Sequence, residues 1–256
     1  MEKTIFITGA AGGFGQASAD RFAAAGYYLG LFDLDESGVA ELAARYGSDR
    51  CCHRRLDVTD ARDCAAAVAY FGEHTGGTMH VLLNNAGIMH AGDFAGSDLA
   101  AEMRVIDVNL KGVMQVAHCA YPLLKGTPGA RVINLGSAAV LHGNPELVAY
   151  SASKRAVNSF TESLDIGWAE AGIRVCDVNP MYARTPMMAT HHATLRNLPE
   201  DKIRLTAEDV ADAIFATLSS KKVHHYVGAD TKFYVAAGKV LPFWMRRLVT
   251  RKILGY

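Results

Sequence analysis

The sequence predicts an α/β fold in which a doubly wound parallel sheet of about seven strands carries helices on both faces. Short apolar runs rich in β-branched and aromatic residues recur along the 256 residues, and each is followed by an alanine-rich stretch long enough for a helix. This alternation is typical of parallel strands joined by right-handed crossovers, which place helices on both faces of one sheet.

The predicted strands are short and largely apolar, as expected for strands buried on both faces. They lie at 4–8, 28–33, 52–58, 80–84, 131–136, 173–178 and 223–228. The predicted helices between them lie at about 15–25, 36–46, 60–75, 98–125, 150–171 and 206–219. A chain of this length can be organised around one core, and no linker or internal repeat is visible. We therefore predict a single domain over residues 1–256.

Two stretches depart from this alternation. Residues 181–205 are too long for an ordinary connection, which predicts a lid over a substrate site. The tail at 241–256 combines apolar residues with four basic ones. An advance of about 100° per residue puts Arg246 and Lys252 among the apolar positions of a helix, which disfavours a membrane-surface helix. We predict instead that the tail packs on its own or a neighbouring subunit.

The charge balance limits the classes of partner. The chain has 26 Lys and Arg residues and 26 Asp and Glu residues, so its formal net charge is zero. Non-specific binding to nucleic acid needs many uncompensated basic residues, so we expect no nucleic-acid partner. An apolar content of 50% excludes a disordered chain. No apolar run approaches the roughly 20 residues of a transmembrane helix, and the first strand leaves no room for a signal peptide, which predicts a cytoplasmic protein.

The cysteines and histidines predict no metal site. The five cysteines are an odd number and contain no C-x-x-C pair, which favours reduced thiols. The histidine doublets at 191–192 and 224–225 point their side chains apart on either a strand or a helix. Neither doublet therefore supplies two metal ligands by itself.

A glycine-rich turn, Thr-Gly-Ala-Ala-Gly-Gly-Phe-Gly at 8–15, separates the first strand from the first helix. Glycines let the chain turn tightly, let the backbone approach a pyrophosphate and let the helix pack against the strand. The helix N-terminus then presents free N–H groups and a positive dipole end to the phosphates. A glycine-rich turn alone is weak evidence, but its position between a strand and a helix predicts a Rossmann-like dinucleotide site.

The choice of cofactor rests on Asp33, which ends the second predicted strand. A carboxylate at this position accepts hydrogen bonds from the adenosine ribose hydroxyls and repels a 2′-phosphate. No Arg or Lys lies within 9–15 to offset that repulsion. We therefore predict NAD(H) over NADP(H). The alternative role for Asp33 is a helix cap or a solvated strand end.

Tyr150 and Lys154 are four residues apart in a predicted helix, which puts them on one face. A nearby ammonium group lowers the pKa of a phenol, which is otherwise a poor acid or base at neutral pH. Such a pair is also common on ordinary helix surfaces. Ser137 supports a catalytic interpretation because it follows the fifth strand, and open α/β sheets bind ligands at the carboxyl ends of their strands. Asn109 adds an amide that needs partners in an otherwise apolar helix segment.

This combination resembles the short-chain dehydrogenase/reductase family, in particular its single-domain branch of roughly 250 residues. The resemblance extends from residue 4 to about residue 230, with the motifs in the expected order. They are Thr-Gly-x-x-x-Gly-x-Gly at 8–15, Asp57-Val58, Asn-Asn-Ala-Gly at 84–87, Asn109, Ser137, Tyr150-x-x-x-Lys154, Asn179-Pro180 and Thr185.

The resemblance implies an oxidoreductase that interconverts a secondary alcohol and a ketone. Tyr150 would be the general acid in reduction and the general base in oxidation, and Ser137 would hold the substrate oxygen. Lys154 would hold the nicotinamide ribose hydroxyls and lower the pKa of Tyr150. Asn109 would interrupt its helix so that a water links Lys154 to solvent. These four residues are the predicted catalytic set.

The resemblance also implies contacts with the cofactor and with other subunits. Asp57 and Val58 would contact the adenine, and Pro180 and Thr185 the nicotinamide end. The full predicted cofactor-binding set is Gly9, Ala11, Gly12, Gly13, Phe14, Gly15, Asp33, Leu34, Asp57, Val58, Asn85, Ala86, Gly87, Tyr150, Lys154, Pro180 and Thr185. A homodimer or homotetramer would be built on the helices predicted at 98–125 and 150–171.

Three residues depart from the family pattern. Met181 follows Pro180 where a glycine is usual, so its thioether can intrude toward the nicotinamide. Gly136 stands where a second serine is common, and Phe14 replaces a small aliphatic residue in the glycine turn. None of these changes removes a catalytic group, so we expect an active enzyme.

The predicted substrate pocket combines residues 88–90, the segment 138–147 and the lid. Its expected lining is apolar and adaptable, with Met89, Leu141, Met181, Tyr182, Met187 and Met188. We therefore expect a medium-sized, largely apolar secondary alcohol or ketone.

The sequence disfavours two other functions. A catalytically idle, dinucleotide-binding regulatory protein is disfavoured by the intact catalytic set. A nucleotide-sugar epimerase or dehydratase of the longer branch is disfavoured because it needs a differently spaced glycine loop and a larger substrate domain.

Overall fold

The computed structural model describes residues 2–141, 143–191, 194–195, 203–228, 231, 235 and 241–255. Its centre is one sheet of seven strands in the order β3-β2-β1-β4-β5-β6-β7, and every neighbouring pair is parallel. The strands are β1 (Thr4–Thr8), β2 (Tyr28–Asp33), β3 (Cys51–Arg55), β4 (Val81–Asn84), β5 (Arg131–Leu135), β6 (Arg174–Pro180) and β7 (His224–Val227). The strand order reverses between β1 and β4, which is where open α/β sheets bind their ligands.

Helices connect the strands as predicted. They are α1 (Gly13–Ala24), α2 (Glu36–Ala44), α3 (Ala61–His74), α4 (Leu99–Ile106), α5 (Val113–Lys125), α6 (Val148–Gly167), α7 (Pro186–His191), α8 (Ala207–Ala216) and α9 (Phe243–Leu254). Several begin at the acidic or hydroxyl residues that satisfy free N–H groups, namely Asp35, Asp60, Asp98 and Thr206. The doubly wound parallel sheet predicted from the sequence is therefore confirmed.

The sheet separates two apolar cores. Alternate residues of β1 face opposite sides, so Ile5 and Ile7 pack in one core with Phe22 of α1, whereas Phe6 packs in the other. In the second core Phe6 stacks on Phe32 with ring centroids 4.0 Å apart. Burial on both faces explains why the inner strands β1 and β4 are largely apolar, whereas the edge strands β3 and β7 are partly exposed and contain polar residues.

The predicted helix at 98–125 is interrupted. Residues Asp107–Gly112 form a π-helical segment between α4 and α5, and Asn109 lies inside it. A single-helix prediction missed this because the apolar pattern continues through the segment. The resemblance-based expectation that Asn109 interrupts its helix is met.

Other element ends differ from the predicted ones for local reasons. The third strand ends at Arg55 rather than at 58, because the backbone N–H of Asp57 turns to the Asp63 carboxylate at 2.8 Å. Helix α6 begins two residues before Tyr150 and ends at Gly167, followed by a short 3₁₀ turn at Ala169–Ala171.

The lid and the tail are described in part. Within 181–205 the short helix α7 follows Thr185, whereas residues 192–193 and 196–202 lie outside the described residues. In the tail, Trp244 and Leu248 are 63% and 58% exposed, so the described part of the chain leaves more than half of each side chain uncovered. Packing of the tail on its own or a neighbouring subunit stays a prediction.

Three findings bear on metals, thiols and membranes. All five cysteines are free thiols. The described part of the chain holds no group of three or more His, Cys, Asp or Glu side chains arranged to bind a metal ion. Among the described residues, no helix combines the length and the apolar composition needed to cross a membrane.

Candidate active site

A cavity of about 770 Å³ opens at the carboxyl ends of the strands. It runs from the glycine turn and the end of β2, past the ends of β4 and β5, to α6 and the lid. Most of the predicted site residues line it: Gly9, Ala11, Gly12, Gly13, Phe14, Asp33, Leu34, Asp57, Val58, Asn85, Ala86, Gly87, Ser137, Tyr150, Lys154, Pro180 and Thr185. The two predicted residues that do not line it, Gly15 and Asn109, lie directly behind its wall.

The glycine turn forms one end of the cavity, and two of its glycines have no room for a side chain. Gly9 has a φ of +65°, and a Cβ there would lie 2.7 Å from the Cα of Ala86. A Cβ on Gly15 would overlap the carbonyl oxygen of Gly9 and lie 2.7 Å from the Cα of Ala10. Gly9 is therefore required by both the turn and the packing, and Gly15 by the close contact of α1 with the turn.

Side chains of Thr8 and Asn85 join the glycine turn to the end of β4. Thr8 Oγ1 accepts the backbone N–H groups of Asn85 and Ala86, each at 3.0 Å. Asn85 Nδ2 donates to the carbonyl oxygens of Thr8 and Gly9 at 3.0 and 2.8 Å. Asn85 thus holds the cavity wall in place with its side chain, a role that the resemblance did not assign to it.

Asp33 lies at the end of β2 with its carboxylate directed at the glycine turn. Oδ2 accepts the backbone N–H of Ala11 at 3.0 Å, and Oδ1 accepts that of Asp35 at 3.1 Å. The cap of α2 is Asp35 rather than Asp33, because the Asp35 side chain accepts the N–H of Gly38. The helix-cap alternative for Asp33 is therefore wrong, and its carboxylate borders the cavity together with those of Asp35 and Asp57.

Asp57 and Val58 line the cavity beyond β3. The Asp57 carboxylate accepts the hydroxyl and N–H of Thr59, and the hydroxyl contact is the main cause of its lowered pKa. The π-helical segment packs closely on Val58, because a Cβ on Gly112 would lie 2.7 Å from Cγ2 of Val58.

Ser137 and Tyr150 face each other at the inner end of the cavity. Ser137 follows β5 in an extended conformation, and its hydroxyl accepts the backbone N–H of Ala139 at 3.1 Å. Burial raises the pKa of Tyr150, and the nearby Ser137 hydroxyl acts in the opposite direction. The lowering of this pKa that was expected from Lys154 is not observed.

Lys154 is buried one helical turn from Tyr150. Its Nζ donates to the carbonyl oxygen of Leu135 at 2.8 Å and lies 5.8 Å from the centroid of the Tyr150 ring. Burial lowers the pKa of Lys154 to about 8, since an ammonium group is poorly solvated there. The amine therefore gains or loses its proton near neutral pH.

Asn109 is fully buried and holds the loop after β4. Its Oδ1 accepts the N–H of Ile88 at 2.8 Å, and its Nδ2 donates to the carbonyl of Ile88 at 2.9 Å. The same Nδ2 lies 3.3 Å from Oγ of Ser153, next to Lys154. The side chain therefore fixes the cavity wall between Gly87 and α6, and it does not reach the cavity itself.

The low pKa of Lys154 predicts a pH-dependent stability. Its folded-state pKa of about 8 lies below the ordinary value of 10.5, so between these values the unfolded chain binds one proton more than the folded protein. Stability therefore rises with pH across this window, by up to about 3 kcal/mol. Lys154→Met lacks this rise. Denaturant unfolding of both proteins from pH 7 to 10, without cofactor, measures the difference.

The control for this measurement is Lys125→Met, which removes an exposed ammonium group at the end of α5. Its unfolding free energy should follow that of the wild type at every pH. Parallel curves for wild type and Lys154→Met would contradict the buried ammonium group.

The substrate end of the cavity is largely apolar, as predicted. Its lining includes Met89, Leu141, Met181, Tyr182, Met187 and Met188. Two buried polar residues also line it, Asn144 and Glu146, which lie in the predicted segment 138–147 but were not named individually. Both lie in the Gly-Asn-Pro-Glu segment before α6, where two polar residues in a predicted pocket wall were the available signal. Arg104 and Arg204 also line the cavity and were not predicted, because both are exposed side chains on elements without a motif.

Gly136 makes room for a polar side chain behind Ser137. A Cβ on Gly136 would overlap Oδ1 of Asn179, which accepts the backbone N–H of Ser137 at 3.0 Å. Met181 and Phe14, the other two departures, both line the cavity.

Known proteins are similar to this chain in sequence and in fold. The family model described as short chain dehydrogenase matches residues 3–196. An uncharacterized short-chain type dehydrogenase/reductase of Sinorhizobium fredii is 42% identical over 190 residues, which cover 73% of this chain and 34% of that protein. This chain thus spans about a third of that relative's length.

Two further proteins match over most of their own length. Sulfoacetaldehyde reductase 2 of Chromohalobacter salexigens is 38% identical over 225 residues, which cover 85% of this chain and 88% of that protein. The crystal structure of a 3-ketoacyl-(acyl-carrier-protein) reductase from Brucella melitensis complexed with NADH superimposes with a TM-score of 0.78 and 30% identity, covering 88% of this chain and 96% of that one.

Proposed function

This chain belongs to the short-chain dehydrogenase/reductase family of enzymes, and we propose that it is an NAD(H)-dependent oxidoreductase that interconverts a secondary alcohol and a ketone. The observation that carries the proposal is one continuous cavity. The glycine turn and Asp33 lie at one end of this cavity, and Ser137, Tyr150 and Lys154 lie at the other. A dinucleotide cofactor and a carbonyl substrate need these two ends in one space.

The residues around the cavity fit NAD(H). Gly12 and Gly13 line the cavity at the N-terminus of α1, where Gly12 has no side chain that could cap the helix in place of a phosphate. Asp33 would bind the adenosine ribose and repel a 2′-phosphate, while Pro180 and Thr185 border the nicotinamide end. When bound, the cofactor supplies the hydride chemistry.

The protein's own part in the reaction is to move a proton. In reduction Tyr150 Oη donates a proton to the substrate oxygen, and in oxidation it accepts that proton. Ser137 holds the same oxygen and shares the charge that develops on it. The Lys154 amine has a pKa of about 8, and its protonated form stabilises the phenolate form of Tyr150. Asn109 holds the adjacent loop so that these groups keep their positions.

The lining of the cavity supports a medium-sized, largely apolar substrate. Three methionines of the lid segment, together with Met89 and Leu141, offer an adaptable apolar surface. The buried carboxyl group of Glu146 disfavours an anionic substrate, whereas the exposed Arg204 borders the cavity and would favour one. A relative is named for sulfoacetaldehyde, an anionic aldehyde, so that compound is the informative competitor.

A panel of alcohols and ketones followed at the NADH absorbance tests the proposal. We expect turnover of cyclic or aryl ketones such as acetophenone and little turnover of small polyols. Turnover of sulfoacetaldehyde or of sugar alcohols alone would refute the apolar substrate class. If no compound is turned over although NADH binds, the alternative of a catalytically idle regulatory protein gains support.

The cofactor choice can be tested with Asp33→Asn. The amide keeps an oxygen for the N–H of Ala11 but removes the negative charge, so the glycine turn stays in place. We expect the preference for NADH over NADPH to fall at least tenfold, because the charge repulsion of the 2′-phosphate is lost. Dissociation constants from NADH and NADPH fluorescence titrations measure it.

The matched control is Asp49→Asn, an exposed carboxylate outside the cavity, which should leave both constants unchanged. A wild-type enzyme that already prefers NADPH would overturn the assignment of Asp33.

A further inference from the structure

A chain of hydrogen-bonded side chains runs from Ser137 to the surface of α6. Asn179 Oδ1 accepts the Ser137 N–H at 3.0 Å, and Asn179 Nδ2 donates to Oδ1 of Asp177. The other carboxylate oxygen, Oδ2, lies 2.9 Å from Nδ1 of His224. Nε2 of His224 lies 3.0 Å from Oε1 of Glu162, whose side chain is 56% exposed. A residue of the cavity is thereby connected to a titratable group near the surface.

The register of the sheet assembles this chain. Asp177 of β6 is paired with His224 of β7, so the two side chains lie on the same face of neighbouring strands. Asn179 lies two residues further along β6 and therefore on that face too. Asn158 of α6, which covers the face, donates its Nδ2 to Oδ2 of Asp177 at 3.0 Å.

Asp177 is a costly residue at this position. Its side chain is 0% exposed, and a buried carboxylate is tolerated only when it is hydrogen-bonded and paired. Asn179, Asn158 and His224 together supply those contacts. An apolar side chain would avoid the cost, so the carboxylate points to a role other than stability.

Gly136 belongs to the same arrangement. A side chain at this position would overlap Oδ1 of Asn179, the atom that holds the N–H of Ser137. This accounts for the glycine that replaces the serine common in the family. The residue before Ser137 is small because an amide occupies the space beside it.

The protonation state of His224 changes the number of contacts in the chain. The hydrogen bond to Asp177 is the main cause of the raised pKa of His224, and Glu162 adds to it. A protonated imidazole donates to both carboxylates. A neutral imidazole that accepts at Nδ1 from Asn158 Nδ2, 3.0 Å away, donates only to Glu162. The other titratable or charged groups near Asp177 or its strand neighbours are Arg131, Arg155, Lys222, His225 and Tyr226.

We propose that Asp177 and His224 are positioning residues for Ser137, and that the protonated form of His224 holds Ser137 in the arrangement that faces Tyr150. The consequence for turnover rests on the proposed function. The structural coupling between His224 and Ser137 does not, so the two can be tested separately.

The coupling is tested by NMR of the full-length protein labelled with ¹⁵N-serine. The Ser137 amide signal should titrate with the same midpoint as the His224 ring, above the ordinary histidine value of about 6.5. Tyr150→Phe should show the same titration, because the coupling needs no catalysis. An amide signal that does not follow His224 would overturn the proposal.

Two variants of His224 separate its two contacts. The side-chain amide nitrogen of His224→Asn lies near the position of Nδ1 and can still donate to Asp177, whereas that of His224→Gln lies near Nε2 and Glu162. We expect the Ser137 amide of His224→Asn to keep the low-pH position and that of His224→Gln to keep the high-pH position, neither titrating. Because His224 is partly exposed at the sheet edge, both variants should fold.

The matched control is His80→Gln, which changes another partly buried histidine, one that bonds to Thr4. Its Ser137 amide should titrate as in the wild type. A Ser137 signal that still titrates in both His224 variants would overturn the proposal.

The kinetic arm uses NADH and acetophenone between pH 6 and pH 9. The ratio of kcat for wild type to kcat for His224→Asn should fall about fivefold as His224 loses its proton, with KM for NADH unchanged. If the Ser137 signal follows His224 but the ratio of the two kcat values stays constant with pH, the role of His224 in turnover is overturned. If the wild type reduces no ketone, the proposed function fails while the NMR titration still decides the positioning.

Discussion

Tyr150→Phe is expected to lower turnover by about 10³-fold while leaving NADH binding nearly unchanged. The variant keeps the ring that lines the cavity, beside Ser137, and removes only the hydroxyl. Without it, no side chain at this point can donate a proton to the substrate oxygen or accept one from it. Initial rates at the NADH absorbance and a NADH fluorescence titration measure the two quantities on the same preparation.

Tyr46→Phe is the matched control for this experiment. Its hydroxyl donates to Asp20 outside the cavity, so the same chemical change should leave both turnover and NADH binding as in the wild type. Substantial remaining activity of Tyr150→Phe would exclude Tyr150 as the acid and base. A wild type as inactive as the variant across the substrate panel would favour the regulatory alternative.

Gly15→Ala is expected to destabilise the fold by about 3 kcal/mol and to weaken NADH binding at least tenfold. The new methyl group would overlap the carbonyl oxygen of Gly9 and lie 2.7 Å from the Cα of Ala10, and both are backbone atoms. Helix α1 must therefore move away from the glycine turn, which displaces the N–H groups that face the phosphates. Denaturant unfolding and NADH titration measure the two effects.

Gly167→Ala provides the opposite expectation for the same substitution. Gly167 lies in the last turn of α6, and a Cβ there would have no neighbour within 4 Å outside its own helix. Alanine should therefore stabilise the protein by about 0.5–1 kcal/mol, because its helix propensity is higher than that of glycine. NADH binding should not change. If Gly15→Ala behaved like Gly167→Ala, the close packing of α1 on the turn would be wrong.

Much of the fold could be predicted because its signals are local. Each buried strand is a short apolar run, and each glycine, proline or capping residue acts on its own neighbours. The π-helical segment was not predicted from the pattern, because the apolar spacing around Asn109 resembles that of an ordinary helix. Its formation depends on Asn109 finding both backbone groups of Ile88, which lie 21 residues away.

The candidate site could be predicted where its residues share a motif. The glycine turn, Asp33 and the Tyr150–Lys154 pair each depend on spacing within one strand or one helix, and all of them border the cavity. The segment 138–147 was predicted to line the pocket, but Glu146 was not singled out within it, because no short-range spacing indicates which of its side chains face the cavity.

The α/β alternation, the position of the glycine turn and the spacing within each predicted catalytic motif could be predicted, since these depend on residues close together in the chain. Which distant side chains meet depends on the tertiary structure. Asp177 and His224 are 47 residues apart and pair because β6 and β7 adopt one particular register. The register of the strands and the side of each helix that packs on the sheet depend on the packing of the whole sheet. Neighbouring residues in the chain therefore do not reveal them.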